Sequence, residues 1–314
     1  IMAKIPVFVV HGFLESGKTR FVQETLADDY FSGGERNLVI ACEEGVEEYE
    51  DELLQKTNTT LVVLEDKSEF NEMFLAECQK KYKPTQIIVE YNCMWGLDYL
   101  REMYMPKGWF VAQVITTVDA TTFDVYLKNM KSLFMEMAKD SDLIIFNRST
   151  DETPAATYKR NMRAVNPKAQ VVFEKEDGSQ LEFEEEMPFD INADVIEISD
   201  VDYGIWYIDA MDHPEKYDGK TMRFKAMAYT GGRLPKGYFV PGRMAMTCCA
   251  DDTAFIGFLC KSAYVDRIKS KQWLTVTAKA HIEKRAEYSG QEGLVLQSTN
   301  IKSAEKPEEE LVYF

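Results

Sequence analysis

The residues from Gly12 to Thr19 have the types and the spacing of a phosphate cradle. They read Gly-Phe-Leu-Glu-Ser-Gly-Lys-Thr. The glycines allow a tight turn that points successive backbone N–H groups at an anion, and a helix that begins near Lys18 adds its positive end. Lys18 can reach the β- and γ-phosphates of a nucleotide, and the Thr19 hydroxyl can ligate Mg²⁺. The predicted nucleotide-phosphate site therefore consists of Gly12, Glu15, Ser16, Gly17, Lys18 and Thr19.

Two acidic residues are candidates to complete this site. Glu90 ends the apolar run "IIVE", and Glu43 follows the run "NLVIAC". Both stand at the C-terminal ends of predicted parallel strands, the edge at which such sheets bind ligands. We expect Glu90 to orient the magnesium shell or the attacking water. Glu43 is expected to join a loop that closes on the γ-phosphate, with Gly45 as its hinge.

Buried strands must position these residues. Between Pro6 and Phe173 short apolar runs alternate with amphipathic stretches, which is typical of βαβ units. Nearly continuous apolar strands predict a parallel sheet that is covered by helices on both faces. The first half of the chain is therefore predicted to have the α/β fold of a P-loop NTPase. The runs are "VFVV", "NLVIAC", "TLVVL", "QIIVEY", "VAQVITTVDA", "DLIIFNR" and "AQVVFE".

The second half of the chain has a different pattern. Residues 174–202 are acidic and lack helical periodicity, which indicates a linker that holds no more than one short strand. From residue 203 onwards, short alternating runs are separated by turns that contain Gly and Pro, a pattern typical of a small β-barrel or sandwich. The predicted organisation is thus a domain over 1–173, a linker over 174–202 and a β-rich domain over 203–314. The charged tail "EKPEEELVYF" is expected to be peripheral.

The composition limits the classes of partner. A chain of 314 residues with 45% hydrophobic and 28% charged residues is typical of a globular protein with two domains. Its 53 acidic and 36 basic residues give a formal charge of -17, which disfavours nucleic acid and anionic membrane surfaces as partners. No apolar run reaches the roughly 18 residues of a membrane span, and no signal peptide is recognisable. We therefore expect a cytoplasmic protein without a membrane span.

The cysteines are interpreted as buried thiols or metal ligands rather than as disulfides. Of the six cysteines in the chain, only Cys248 and Cys249 are adjacent. Neighbouring residues on a regular strand point to opposite faces, so this pair can clamp one ion only at a bulge or a turn. Three interpretations stay open for the pair: structural thiols, a soft-metal site such as Zn²⁺, and a redox role.

Several segments of the first half match one family together with the cradle. They are the residues Cys42–Gly45, the residues from Glu90 to Met94, the strands "TVDA" and "DLIIFNR", and the stretch "RAVNPKAQV". In this combination, residues 5–173 resemble the CobW-type P-loop GTPases, which include nickel-enzyme maturation GTPases and zinc and cobalt chaperones. The family's cradle differs from this one only at Glu15. The resemblance implies Mg²⁺-dependent hydrolysis of GTP, as a switch in metal or cofactor handling with a client protein as partner.

The chain departs from this family at three positions. The family reads guanine with Asn-Lys-x-Asp, whereas this sequence has Asn147-Arg148-Ser149-Thr150 and an acid only at Asp151. The resemblance implies that Asn147 and Arg148 contact the base, and that Asp151 has to shift into place to select guanine. The family's Cys-x-Cys-Cys metal motif is absent, and a glycine of the family is replaced near Cys93. Three hypotheses follow: a GTPase, an ATPase, and an adaptor that binds a nucleotide without turnover.

The second half resembles a different family. The segment Gly219 to Cys260 contains a Gly-Lys opening, a Leu-Pro-Lys-Gly turn, the Cys248–Cys249 pair and a "GFL" strand. These features are similar to the C-terminal domain of a bacterial family whose members usually carry membrane helices in front and are paired with a permease. The resemblance implies an OB-like barrel. In the adaptor hypothesis this β-domain is the protein-interaction module.

Overall fold

The computed structural model describes residues 4–43, 45–183, 187–232, 234–246 and 253–314. The chain divides into two compact units. The first unit comprises Ile1–Ala155 and Val165–Phe183, and the second comprises Ala156–Ala164 and Glu184–Phe314. The predicted cysteine pair Cys248 and Cys249 lies outside the described residues.

The first unit is built on a parallel sheet of seven strands. The strands lie in the order β3-β2-β4-β1-β5-β6-β7, and each neighbouring pair is parallel. This arrangement confirms the predicted α/β fold class. The strands are β1 (Ile5–Gly12), β2 (Asn37–Ala41), β3 (Thr59–Val63), β4 (Gln86–Asn92), β5 (Trp109–Asp119), β6 (Leu143–Asn147) and β7 (Gln170–Phe173).

Helices follow most of these strands. None of the helices in the described part of the chain is long and apolar enough to cross a bilayer. The α-helices of both units, within the described residues, are α1 (Lys18–Ala27), α2 (Asp29–Ser32), α3 (Asp51–Lys56), α4 (Glu72–Tyr82), α5 (Leu97–Glu102), α6 (Phe123–Asn129), α7 (Lys131–Asp140), α8 (Ala155–Val165) and α9 (Tyr203–Asp212).

Alternate residues of the strands face different helices. Val10 of β1 packs in one apolar cluster with Val22 of α1. The next residue along β1 points to the other face, where Thr116 of β5 bonds the Ser141 hydroxyl directly after α7. The sheet is therefore covered on both faces. Since all strands are parallel, their C-terminal ends meet at the edge where α1 begins.

The second unit is mostly β-structure, as predicted. Strands β9, β10, β12, β14 and β13 form a closed ring, in which β12 and β14 are parallel and the other pairs are antiparallel. Strands β8, β11 and β15 extend this ring. The strands are β8 (Ile196–Glu197), β9 (Thr221–Tyr229), β10 (Tyr238–Met246), β11 (Thr253–Gly257), β12 (Cys260–Lys261), β13 (Trp273–Lys284), β14 (Glu292–Ser303) and β15 (Leu311–Val312).

Two features of the second unit differ from the expectation. The segment Tyr203–Asp212 is a helix, and its apolar residues include the fully buried Trp206. A helix that is apolar on all sides has no 3.6-residue stripe that would predict it. The tail is not peripheral, because Leu311 and Val312 pair with β10 and Val312 is buried. A tail with so many acidic residues gave no sign of this strand.

Replacement of Trp206 should destabilise the second unit. Its ring lies 4.8 Å from that of Phe224 and 5.5 Å from that of Phe258, so Trp206→Ala leaves a cavity. We expect a loss of about 3–5 kcal/mol in the free energy of unfolding, measured by urea denaturation. Hydrogen exchange should locate the loss in β9, which carries Phe224. The exposed Tyr30 supplies the control Tyr30→Ala, and a loss in Trp206→Ala no larger than in this control would contradict the packing described.

Candidate functional site

Close backbone approach explains both glycines of the cradle. The loop between β1 and α1 has Gly17 in the left-handed region, with φ 87°. A Cβ on Gly17 would lie 2.5 Å from Nδ2 of Asn147. A Cβ on Gly12 would overlap the carbonyl oxygen of Thr117. Any larger residue at either position would push the loop away from β5 and β6.

Lys18 is almost completely buried, with 3% of its surface exposed. Its ammonium donates to the carbonyl oxygens of Gly12, at 3.2 Å, and Phe13, at 2.9 Å. It also forms an ion pair with the Glu43 carboxylate. The structure thus brings together Lys18 and Glu43, which the sequence placed in one site. The Glu43 carboxylate is paired with the ammonium that would bind a phosphate.

A second buried contact joins Thr19 and Glu90. The Thr19 hydroxyl donates to Oε1 of Glu90 at 2.9 Å, and the Tyr49 hydroxyl donates to Oε2 at 2.5 Å. Burial raises the pKa of the Glu90 carboxyl, against the opposing effects of these two hydrogen bonds and of Lys18. Glu90 and Thr19 therefore present oxygen ligands side by side next to the phosphate cradle.

Asn147 braces the other side of the cradle. Its Nδ2 donates to the carbonyl oxygen of Ser16 at 2.7 Å. The hydroxyl of Ser16 in turn lies 2.8 Å from the hydroxyl of Thr117 on β5. Asn147, predicted to contact the base, has its side-chain nitrogen directed at the loop backbone instead, because the unpaired carbonyl of the tight turn needs a donor.

Arg148 lies at the mouth of the site. Its Nη1 donates to the carbonyl oxygen of Glu15 at 3.1 Å and to Oδ2 of Asp119 at 2.7 Å. Asp119 ends β5, and its other carboxylate oxygen accepts from the backbone and hydroxyl of Thr121. The guanidinium is therefore held in place from two sides while 31% of the side chain stays exposed.

The structure does not bring Asp151 into the site. The side chain of Asp151 is 82% exposed and pairs with Lys175 at 2.9 Å. It does not line the cleft, so the contact between Asp151 and the base stays a prediction that requires its side chain to shift. A solvated carboxylate with a lysine partner has no reason to move inward unless a ligand offers more hydrogen bonds.

The cradle, Glu43, Glu90 and Arg148 line a cleft of about 320 Å³. Lys18 and Arg148 supply its positive charge, and its acidic residues are Glu15, Glu43, Glu47 and Glu90. In the described part of the chain, no three or more His, Cys, Asp and Glu side chains are grouped so that they could hold a metal ion. The cleft thus offers backbone and cationic donors for an anion, with a hydroxyl and a carboxylate beside them.

Sequence reasoning missed two residues of this site. Tyr49 contacts Glu90 from the acidic segment that follows Glu43, and Asp119 fixes Arg148. One signal was available for Tyr49, which is the only aromatic residue between Glu43 and Glu52. A lone aromatic in a charged segment indicates a point at which the segment is attached to the core.

His11 directly precedes the cradle and is neutral. It is 1% exposed, and its Nδ1 lies 3.3 Å from the Thr116 hydroxyl. Burial lowers its pKa to about 3, and the charges of Lys18 and Arg101 add to this shift. The imidazole therefore contributes no charge to the phosphate site at neutral pH.

The low pKa of His11 predicts an acid-dependent loss of stability. The unfolded chain takes up a proton near pH 6.5, whereas the folded chain resists it down to about 3, so stability falls as pH falls between these values. The slope approaches 1.36 kcal/mol per pH unit. Replacement His11→Asn should remove this contribution, and urea denaturation between about pH 7 and 5 measures it. Parallel curves for both proteins would show that His11 is not responsible.

The site combines a tight turn suited to an anion with a lysine and a threonine at a helix N-terminus. An acid stands on a neighbouring parallel strand. Together these features define a P-loop nucleotide-binding domain. Residues 6–173 match the family described as CobW/HypB/UreG, nucleotide-binding domain. The chain belongs to this family. Residues 173–314 match the DUF1980 C-terminal domain. No curated protein matches the chain.

Three solved structures are similar to parts of the chain. The Zn(II)-bound YjiA GTPase from E. coli has 18% identity and a TM-score of 0.42, over 54% of this chain and 57% of that one. The hydrogenase maturation factor HypB from Archaeoglobus fulgidus has 16% identity and a TM-score of 0.41, over 56% and 84%. The mitochondrial single-stranded DNA binding protein Rim1 from S. cerevisiae has 13% identity and a TM-score of 0.19, over 28% and 97%. The chain thus spans little more than half the length of YjiA.

Proposed function

We propose that this protein binds GTP together with Mg²⁺ and hydrolyses it, as a switch or energy source in metal or cofactor handling. The observation that carries the proposal is the pair of buried contacts Lys18–Glu43 and Thr19–Glu90 within the cradle. Membership of a family of nucleotide-binding domains supports the same function.

The residues at the phosphate end fit a magnesium nucleotide. Thr19 and Glu90 offer only oxygen atoms, which are the ligands that Mg²⁺ prefers. When bound, Mg²⁺ would neutralise charge on the phosphate oxygens. Lys18 exchanges the Glu43 carboxylate for the β- and γ-phosphates, which frees Glu43 to join the loop at the γ-phosphate. Glu90, in its buried position, orients the attacking water.

The base end favours guanine through Arg148. A guanidinium only donates hydrogen bonds. Guanine presents the acceptors O6 and N7 along one edge, whereas adenine presents N7 and the N6 donor. Since Asp151 is turned away from the cleft, the amino group of guanine has no predicted acceptor. In this proposal Arg148 selects the base, and Asn147 supports the loop.

Removal of the Lys18 ammonium should weaken nucleotide binding. Hydrogen bonds to charged groups contribute about 1.5–3 kcal/mol each, so Lys18→Ala should bind GTP about ten- to a hundredfold more weakly. Calorimetry with Mg²⁺ measures this change. The matched control is Lys56→Ala, at an exposed lysine in α3. Full affinity in Lys18→Ala would refute the site, and single-turnover hydrolysis by the unaltered protein separates a GTPase from a non-hydrolysing adaptor.

Base analogues test the role of Arg148. Inosine triphosphate keeps O6 and N7 but lacks the amino group, so it should bind within about threefold of GTP, while ATP should bind about tenfold or more weakly. Competition binding with the three nucleotides measures the order. Weak binding of inosine triphosphate would show that a carboxylate reads the amino group. Tighter binding of ATP than of GTP would support the ATPase hypothesis, and equal binding of the two would favour the adaptor hypothesis.

The second unit is proposed to serve interaction with a client. Its closed ring of strands supports an OB-like barrel, and such barrels bind ligands on their surface. The client is a partner protein, and the resemblance of this half points to a permease as one class. Zn²⁺ at Cys248 and Cys249 belongs to this proposal and is tested by the metal content of the purified protein. We propose a cytoplasmic location for this activity, which subcellular fractionation tests.

A further inference from the structure

Tyr49 is attached to the core of the first unit by its ring. The residue lies in the acidic segment between β2 and α3 and packs against the apolar cluster that contains Val22 and Ile88. Its hydroxyl points at Glu90, and burial raises the pKa of this hydroxyl. Tyr49 therefore keeps its proton and acts as a donor.

The two oxygens of Glu90 have different donors. Thr19 donates to Oε1 and Tyr49 donates to Oε2. A glutamate side chain has three rotatable bonds, so a single hydrogen bond leaves its carboxylate free to turn. Two donors on opposite oxygens fix the plane of the carboxylate and its distance from the Thr19 hydroxyl. The Glu90 backbone is also fixed, because it pairs with Val10 and Ala41 on the two neighbouring strands.

The segment that carries Tyr49 has its own attachment to α1. The side chain of Gln23 accepts a hydrogen bond from the backbone of Glu50 at 2.8 Å. It also donates to the carboxylate of Glu47 and to the backbone of Glu48, at 3.4 Å in both cases. These contacts flank Tyr49 and do not involve Glu90. The position of the Tyr49 hydroxyl is thus fixed by contacts other than its hydrogen bond to the Glu90 carboxylate.

We propose that Tyr49 is a positioning residue for the cation end of the nucleotide site. Its hydroxyl holds the Glu90 carboxylate beside the Thr19 hydroxyl. The Glu90 carboxylate and the Thr19 hydroxyl then face a cation in one fixed arrangement. This inference rests on the proposed function, because it takes Thr19 and Glu90 as the residues next to Mg²⁺. Without Tyr49, Oε2 of Glu90 would be a buried acceptor with no donor among the residues that the structure describes, and the carboxylate would turn to find one.

The test is Tyr49→Phe, which removes the hydroxyl and keeps the ring in the apolar cluster. GTP binding is measured by calorimetry over a range of Mg²⁺ concentrations and in EDTA. We expect the Mg²⁺ concentration for half-maximal enhancement of binding to rise about tenfold, and the affinity in EDTA to stay unchanged. Hydrogen exchange of residues 45–52, measured without nucleotide, should also be unchanged, because Gln23 still holds the segment.

A matched control is Tyr99→Phe. The hydroxyl of Tyr99 donates to the carbonyl oxygen of Phe70 at 2.7 Å, so this variant loses a comparable hydrogen bond away from Glu90. It should bind GTP like the unaltered protein at every Mg²⁺ concentration. A similar change in both variants would show a general loss of stability and overturn the inference.

The remaining outcomes separate this inference from the proposed function. Equal weakening of Tyr49→Phe with and without Mg²⁺, together with faster exchange of residues 45–52, would make Tyr49 an anchor of the segment only. An unchanged requirement for Mg²⁺ would also overturn the positioning role while GTP binding stands. If the unaltered protein binds no GTP under either condition, the proposed function fails and this inference fails with it.

Discussion

The buried ammonium of Lys18 is the constraint on which the site depends. A charge removed from water costs several kcal/mol unless acceptors replace its hydration. Two carbonyl oxygens of the β1–α1 loop and the Glu43 carboxylate do so here. Glu43 reaches the ammonium because β2 ends at the same edge as β1, with β4 between them. The buried charge of Lys18 thus depends on the tight turn, on the strand order and on the start of the acidic segment.

In the proposed function, the charge of the cleft explains the cation beside the phosphates. Lys18 and Arg148 face four carboxylates along the cleft wall, so the formal balance is negative before any ligand enters. A nucleotide triphosphate would add further negative charge, and repulsion in a partly buried cleft is weakly screened. The divalent cation that we propose at the oxygens of Thr19 and Glu90 would offset part of this repulsion. Since Glu43 pairs with Lys18, it is the carboxylate that would leave the ammonium when a phosphate binds in the proposed function.

Local patterns predicted the parts of this structure that local chemistry determines. Apolar runs predicted the strands of the parallel sheet, and the glycine spacing predicted the cradle with Lys18 and Thr19. Strand-end position was enough to bring Glu43 and Glu90 to it. Contacts between distant segments were not predictable in this way: Asp151 pairs with Lys175 instead of entering the cleft, and Tyr49 reaches Glu90 across 41 positions. The helix around Trp206 was missed because its apolar residues show no stripe.

Backbone strain at the cleft mouth points to the ligand rather than to stability. Glu15 and Arg148 have left-handed backbones, with φ of 61° and 51°. Such conformations cost about 1–3 kcal/mol in residues other than glycine and persist only where the surroundings impose them. Here the two strained residues hold each other, because the Arg148 guanidinium donates to the Glu15 carbonyl. In the proposed function, this strain is the structural cost of holding a fixed donor for the base.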